Sequence, residues 1–271
     1  MTFSAVWVRS DFLRSRSRLL WVTLALSLAA TVSGCAATPT KQEMSDDQRA
    51  HLLIDAANGA LREGDATGAL QLLVDAERTL PDSAALHHSM AIAYYAKSDP
   101  KKAIIEARKA VRLEPKYSAA KITLGKMLLD ASDFAGAEPV LHEAAIDSLN
   151  RDAYKAYTLL GLLHYRQNQW TLASENFERA VTESPQLSCV AHYYLGHLRL
   201  RRSNFGEAVR EYAAATTKFC GTFADAHLAL GIAYEKAQRY TEARKKFLDI
   251  KQNFPNTKVA DQAMDRLKYL P

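Results

Sequence analysis

Glycine recurs behind leucine at a fixed interval. Leu124-Gly125, Leu160-Gly161, Leu195-Gly196 and Leu230-Gly231 set their glycines 36, 35 and 35 residues apart. A period of that length means a stack of small units, because each unit can bury its apolar face only against its neighbours. The rest of the pattern keeps step. Twelve residues after each glycine comes an alanine (Ala137, Ala173, Ala208, Ala243), and four later a larger side chain (Leu141, Phe177, Tyr212, Phe247). An aromatic stands three residues before each alanine: Phe134, Trp170, Phe205, Tyr240. Weaker copies appear as Ala69, Leu73, Ala76 with Pro81, and as Ala103, Ala107, Ala110 with Pro115, which makes six.

Two antiparallel helices per unit satisfy this pattern. Glycine and alanine at fixed places let backbones approach, and the larger side chain four residues after the alanine lies on the same face and fills the gap. Pro81, Pro115, Pro185 and Pro255 each follow a second helix and stop it. Turns inside a unit are short and polar, such as Lys97-Ser98-Asp99 and Arg202-Ser203-Asn204. This resembles the tetratricopeptide repeat over residues 50–255. The resemblance implies an all-α, right-handed helical solenoid of about six repeats, with Thr257 to Leu270 as a C-terminal capping helix. The first two copies lack the Leu-Gly pair, and Ile146 to Asp152 lacks the proline and carries two extra residues.

Ahead of the repeats stands a different kind of segment. Arg9, Arg14, Arg16 and Arg18 precede an uncharged run of 14 residues, Leu19 to Val32, which ends in Ser33-Gly34-Cys35. A spanning helix needs roughly 20 apolar residues, so the run reads as a cleaved signal. It resembles the signals of bacterial lipoproteins, which implies cleavage before Cys35 and a lipid on its sulfur and amino group. Several acyl chains together make a lasting anchor. With Ala36 rather than aspartate following, the expected address is the periplasmic face of the outer membrane. The expected organisation is signal peptide 1–34, lipidated cysteine and polar tether 35–47, and repeat domain with terminal helix 48–271.

Losing residues 1–34 removes four arginines and one aspartate, leaving 31 basic and 29 acidic side chains. The net charge falls from +5 to +2, so the basic composition belongs largely to the signal and argues for no nucleic-acid partner. Cys189 and Cys220 remain as an even pair in an oxidising compartment, which predicts a disulfide, with two free thiols as the alternative. In an antiparallel unit the start of the first helix lies beside the end of the second, and these cysteines open and close the fifth unit. The closed loop would contribute roughly 3.5 kcal/mol.

Catalytic signals are weak. Ser98-Asp-Pro-Lys101 and Ser118-Ala-Ala-Lys121 spell S-x-x-K without S-D-N or K-T-G companions, and both fall where the repeat needs a turn or a helix start. The eight histidines are scattered, with no zinc-ligand spacing. No enzyme, metal, cofactor or small-molecule substrate is expected. The first helices instead display a stripe at three- and four-residue spacing: His88, Ile92, Tyr95; Ile122, Leu129; Thr158, Leu162, Tyr165; Tyr193, Leu200; Leu228, Ile232. It reads as an apolar and aromatic groove for a protein segment, the alternative being that tighter curling buries individual members as core.

Six repeats, a capping helix, a lipid anchor and a cysteine pair in the fifth unit resemble the type IV pilus pilotins, the PilF, PilW and Tgl group. That resemblance implies binding of pilus secretin monomers and help in their multimerisation in the outer membrane. Two alternatives share the architecture: a BamD-like scaffold of the outer-membrane protein assembly machinery, suggested by Phe247 to Asn256 followed by Ala260 and Leu267, and a peptidoglycan or cell-division adaptor.

Overall fold

The structure, a computed structural model, describes residues 44–271; the expected signal, Cys35 and the expected tether up to residue 43 lie outside the described residues. Among the described residues the chain is entirely helical. Six helical hairpins follow one another: α1 (Asp46–Glu63) with α2 (Ala66–Glu77), α3 (Ala84–Ala96) with α4 (Pro100–Leu113), α5 (Ser118–Asp130) with α6 (Phe134–Ile146), α7 (Ala153–Arg166) with α8 (Trp170–Glu183), α9 (Cys189–Arg201) with α10 (Phe205–Ala214), and α11 (Ala224–Lys236) with α12 (Tyr240–Asn253). A single helix, α13 (Lys258–Lys268), ends the stack, packed on both α11 and α12.

Each hairpin turn is built the same way. One residue takes a left-handed conformation in every unit: Gly64, Ser98, Ser132, Asn168, Ser203 and Gln238. In four units the next residue caps the second helix, as Asp65, Asp99, Asp133 and Asn204 accept hydrogen bonds from the backbone N–H groups of Gly68, Lys102, Gly136 and Glu207. The cap satisfies one of the helix's orphan donors while the left-handed residue reverses the chain. Where the third unit lacks its proline, side chains close the connection instead. Asn150 donates from Nδ2 to the Ala144 carbonyl (2.7 Å), and Asp147 accepts from the Leu149 N–H (3.0 Å).

Within each unit the glycine admits the large side chain facing it. A Cβ at Gly125 would stand 2.4 Å from Leu141, one at Gly161 2.5 Å from Phe177, one at Gly196 2.6 Å from Tyr212, and one at Gly231 2.5 Å from Phe247. All four partners are fully buried. In the second unit the requirement lapses: Ala91 holds the glycine's place, Ala107 the large residue's, and both are buried in one cluster.

Cys189, first residue of α9, is joined in the structure to Cys220, last residue of a 3₁₀ turn (Lys218–Cys220), with S–S 2.01 Å and Cα–Cα 5.4 Å. Cys220 stands midway between Pro185 and Pro255, 35 residues from each, at the place where those units end in proline. The disulfide thus lies at the unit's chain-stopping position.

Candidate functional site: the inner wall of the first helices

First helices of successive units touch one another, α1 to α3, α3 to α5, α5 to α7, α7 to α9 and α9 to α11, whereas second helices pack mainly between flanking first helices. A stack that is tighter along one side bends toward it, so α3, α5, α7, α9 and α11 form the inner wall. The predicted stripe lies on these five helices. Eleven of its twelve members are half-buried: His88, Ile92, Tyr95, Ile122, Thr158, Leu162, Tyr165, Tyr193, Leu200, Leu228 and Ile232.

Leu129 is a correction. It is 1% exposed and belongs to the central core with Leu160 and Leu163. Arg166 closes over it from α7, donating from its guanidinium to the Leu129 carbonyl (2.8 Å). Contact with α7, through Leu160, Leu163 and Arg166, is what covers this position.

The wall is also less uniformly apolar than the stripe suggests. At its N-terminal half Tyr95, Lys126 and Asp130 form a polar triad. The Tyr95 hydroxyl donates to Asp130 Oδ2 (2.6 Å), Lys126 Nζ donates to the same oxygen (2.9 Å), and the ammonium lies 4.3 Å from the Tyr95 ring centroid. Arg166 adds a second cation 3.7 Å from Asp130. Partial burial would raise the Asp130 carboxyl, but the hydrogen bonds from Tyr95 and Lys126 and the two nearby cations outweigh it and hold it below the usual carboxylate value. His88 is similarly occupied, with Nδ1 3.0 Å from the Tyr117 hydroxyl and Nε2 2.9 Å from Thr123 Oγ1, while Thr158 spends its hydroxyl on the Tyr154 carbonyl (2.7 Å).

The other half of the wall is aromatic. Tyr165 meets Trp170 edge-on at 5.2 Å and Tyr194 at 4.8 Å; Tyr194 meets Tyr193 at 5.3 Å; and Tyr193 meets His197 at 4.5 Å and Phe223 at 4.9 Å. These contacts, edge-to-face except for the tilted Tyr193–Phe223 pair, lock the rings against one another. Burial, with Asp225 and the neighbouring phenols, pushes the Tyr193 hydroxyl up to about 12, and burial holds His197 below its ordinary value. Both stay neutral near pH 7. Lys126 and His197 were not among the stripe residues, although each stands four residues after a member, Ile122 and Tyr193. Their spacing could have found them; reading the stripe for apolar residues alone did not.

Ser118 and Lys121, one of the two S-x-x-K pairs, are engaged elsewhere. Ser118 Oγ donates to Asp147 (2.5 Å) and Lys121 Nζ to Glu143 (2.7 Å), so neither faces the other. Among the described residues no cluster of three His, Cys, Asp or Glu could hold a metal ion, and no helix is long and apolar enough to cross a membrane. What the wall offers is a row of rigid rings and aliphatic side chains bounded by fixed charges, suited to holding a peptide segment.

Comparison with known proteins agrees with this architecture. The tetratricopeptide repeat family profile matches residues 122–188 and 193–256. The type IV pilus assembly protein PilF of Pseudomonas aeruginosa is 26% identical over 162 residues, 58% of this chain and 64% of PilF, so the aligned region spans less than two thirds of that relative. Among solved structures, Pseudomonas aeruginosa PilF superposes with a TM-score of 0.70 at 20% identity, covering 82% of this chain and 99% of its own. PilW, described as a widely conserved type IV pilus biogenesis factor, does so at 0.70 and 19% identity, covering 80% and 99%. MamA from Desulfovibrio magneticus RS-1 scores 0.53 at 25% identity, over 64% of this chain and 95% of its own. The chain carries tetratricopeptide repeats, is homologous to the type IV pilus assembly protein PilF and is folded like PilW.

Proposed function

We propose that this protein is a pilotin for the type IV pilus secretin: a lipoprotein, anchored through Cys35 to the periplasmic face of the outer membrane, that holds secretin monomers on its inner wall until neighbours in the ring replace it. The observation that carries the reading is the sequence relationship to PilF. The wall supports it physically. Tyr165, Tyr193, Leu162 and Ile232 leave apolar area half-covered, and covering it releases roughly 25 cal/mol per Å². Binding of that kind needs shape and burial but no bond chemistry, which suits a carrier that must let go. Residues 1–34 would serve as the signal and 35–47 as the tether, leaving 48–271 to do the binding.

The test is to delete the gene and run unboiled envelope extracts on a gel, probing for heat-resistant secretin multimers and separately for folded porins. Loss of multimers with normal porins is expected. Intact multimers would overturn the proposal, and a general loss of folded porins would reassign the protein to outer-membrane protein assembly. Replacing Cys35 with alanine should release the protein from the membrane fraction and weaken multimer formation.

A further inference from the structure

In units three to six the last residue of the first helix occupies an equivalent place along the stack: Asp130 ends α5, Arg166 ends α7, Arg201 ends α9 and Lys236 ends α11. The row therefore changes from an acid to three successive cations. Arg166 is spent in part on Asp130 and on the Leu129 carbonyl. Arg201 and Lys236 are exposed, and among the described residues neither has a carboxylate within ion-pair distance. Their neighbours are treated otherwise. Arg199 is held by Glu178 (2.9 Å) and Glu207 (3.2 Å), and Glu235, adjacent to Lys236, is taken by Arg266 from the capping helix (2.8 Å).

Arg201 is moreover positioned. Its guanidinium carbon lies 4.4 Å from the Trp170 ring centroid, and Trp170 is packed edge-on to Tyr165 of the inner wall. A guanidinium seated on an indole keeps its N–H fork at the edge, free to grip a carboxylate with two hydrogen bonds. The negative end of each helix helps retain these cations without neutralising them. Asp225 lies near Tyr193, and Glu235 is already paired with Arg266, so among the described residues Arg201 and Lys236 remain unpaired on this half of the wall.

From this row, and resting on the inner wall being the partner's seat, we infer that units four to six receive a protein segment in which carboxylates alternate with apolar or aromatic side chains. The acids sit on Arg166, Arg201 and Lys236 and the apolar groups on the floor of Tyr165, Tyr193 and Leu228. Directly packed helices lie about 10 Å apart, and a segment in the polyproline II conformation advances about 3.1 Å per residue with three residues per turn, so the matching segment carries an acid at about every third position, all on one edge.

The test uses the full-length lipidated chain in nanodiscs and three fluorescein-labelled twelve-residue peptides, repeats of Glu-Phe-Ser, Gln-Phe-Ser and Lys-Phe-Ser, titrated by fluorescence anisotropy at low and high salt. The glutamate peptide should bind at least roughly tenfold more tightly than the glutamine peptide, and salt should erase the advantage. The double variant Arg201→Glu with Lys236→Glu should abolish the preference, whereas Lys251→Glu on α12, away from the wall, should preserve it. Equal binding of the glutamate and glutamine peptides, binding of none, or an intact preference in the double variant would overturn the inference. No secretin is present in this titration, so its failure leaves the multimer assay standing, and failure of that assay leaves the titration standing.

Discussion

Replacing Gly161 with alanine tests the packing rule of the repeat where a glycine faces a fully buried ring. A Cβ there would fall 2.5 Å from both Cδ1 and Cε1 of Phe177 and 2.9 Å from its Cγ, closer than real contacts allow. The ring has nowhere to go: Phe177 is fully buried and stacks at 5.5 Å, 12° from parallel, on Tyr194 of the next unit. Overpacking of this kind costs about 3 kcal/mol, while alanine in a helix interior regains about 1 kcal/mol over glycine. The net expectation is a loss of about 2 kcal/mol, read as a lower urea midpoint by far-ultraviolet circular dichroism. Gly59 supplies the control. It also lies inside a helix, α1, but a Cβ there meets nothing nearer than the tip of Arg62 at 3.9 Å, so Gly59→Ala should stabilise by about 0.5–1 kcal/mol. In a Phe177→Ala background, Gly161→Ala should become neutral or stabilising. A parent-like or raised midpoint for Gly161→Ala alone would refute the argument, because only the clash separates the two glycines.

Three further outcomes are expected. Replacing Cys189 and Cys220 together with serine opens a link spanning 31 residues and should lower stability by about 3–4 kcal/mol on chain-entropy grounds, measured by thermal melting with and without reductant. Gln238→Gly should stabilise by about 1 kcal/mol in urea titrations, because a side-chain-bearing residue there holds φ at 57°. His88, which burial pushes down to about 4, should make the fold acid-sensitive. Its folded value lies below its unfolded one, so the unfolded chain binds the extra proton; stability is complete above about 6.5 and declines as pH falls toward 4, by up to about 1.4 kcal/mol per unit. His88→Gln should flatten the urea midpoint across that window, and an unchanged slope would show that the ring does not carry it.

The helical hairpins were legible because their signal is a size pattern repeated in register. Gly125 with Leu141 and Gly161 with Phe177 state the same volume constraint twice, and no other period satisfies both. The cysteines were legible for the same reason, since the period alone puts Cys189 and Cys220 at opposite ends of one chain segment and side by side in space. The histidines were not. His87 places Nδ1 2.7 Å from Glu106 and Nε2 2.8 Å from the Pro81 carbonyl, and His192 repeats this with Glu211 (2.7 Å) and Pro185 (3.2 Å). Each ties its own hairpin to the turn that precedes it. The partners lie 19 residues along the chain in both cases, but that spacing gains meaning only once two helices are known to pack. Leu129 failed for a related reason: a stripe records which residues share a helix face, while burial of that face depends on how far the next helix leans in.

The division of the inner wall has a consequence for how a carrier could release its cargo. In the N-terminal half the charges of Lys126 and Asp130 satisfy each other, so a ligand there must compete with bonds already made. In the C-terminal half Arg201 and Lys236 are bound to no carboxylate among the described residues, and the aromatic rings are held by one another rather than by a guest. On the proposed reading, grip is concentrated at one end, from exposed charges that salt and competing acids can screen, over a floor whose shape is set before binding. A segment held in this way can be displaced stepwise from its acidic side chains without any unit of the stack opening. Rigid packing of Gly161, Gly196 and Gly231 against Phe177, Tyr212 and Phe247 is what keeps the floor in place while that happens.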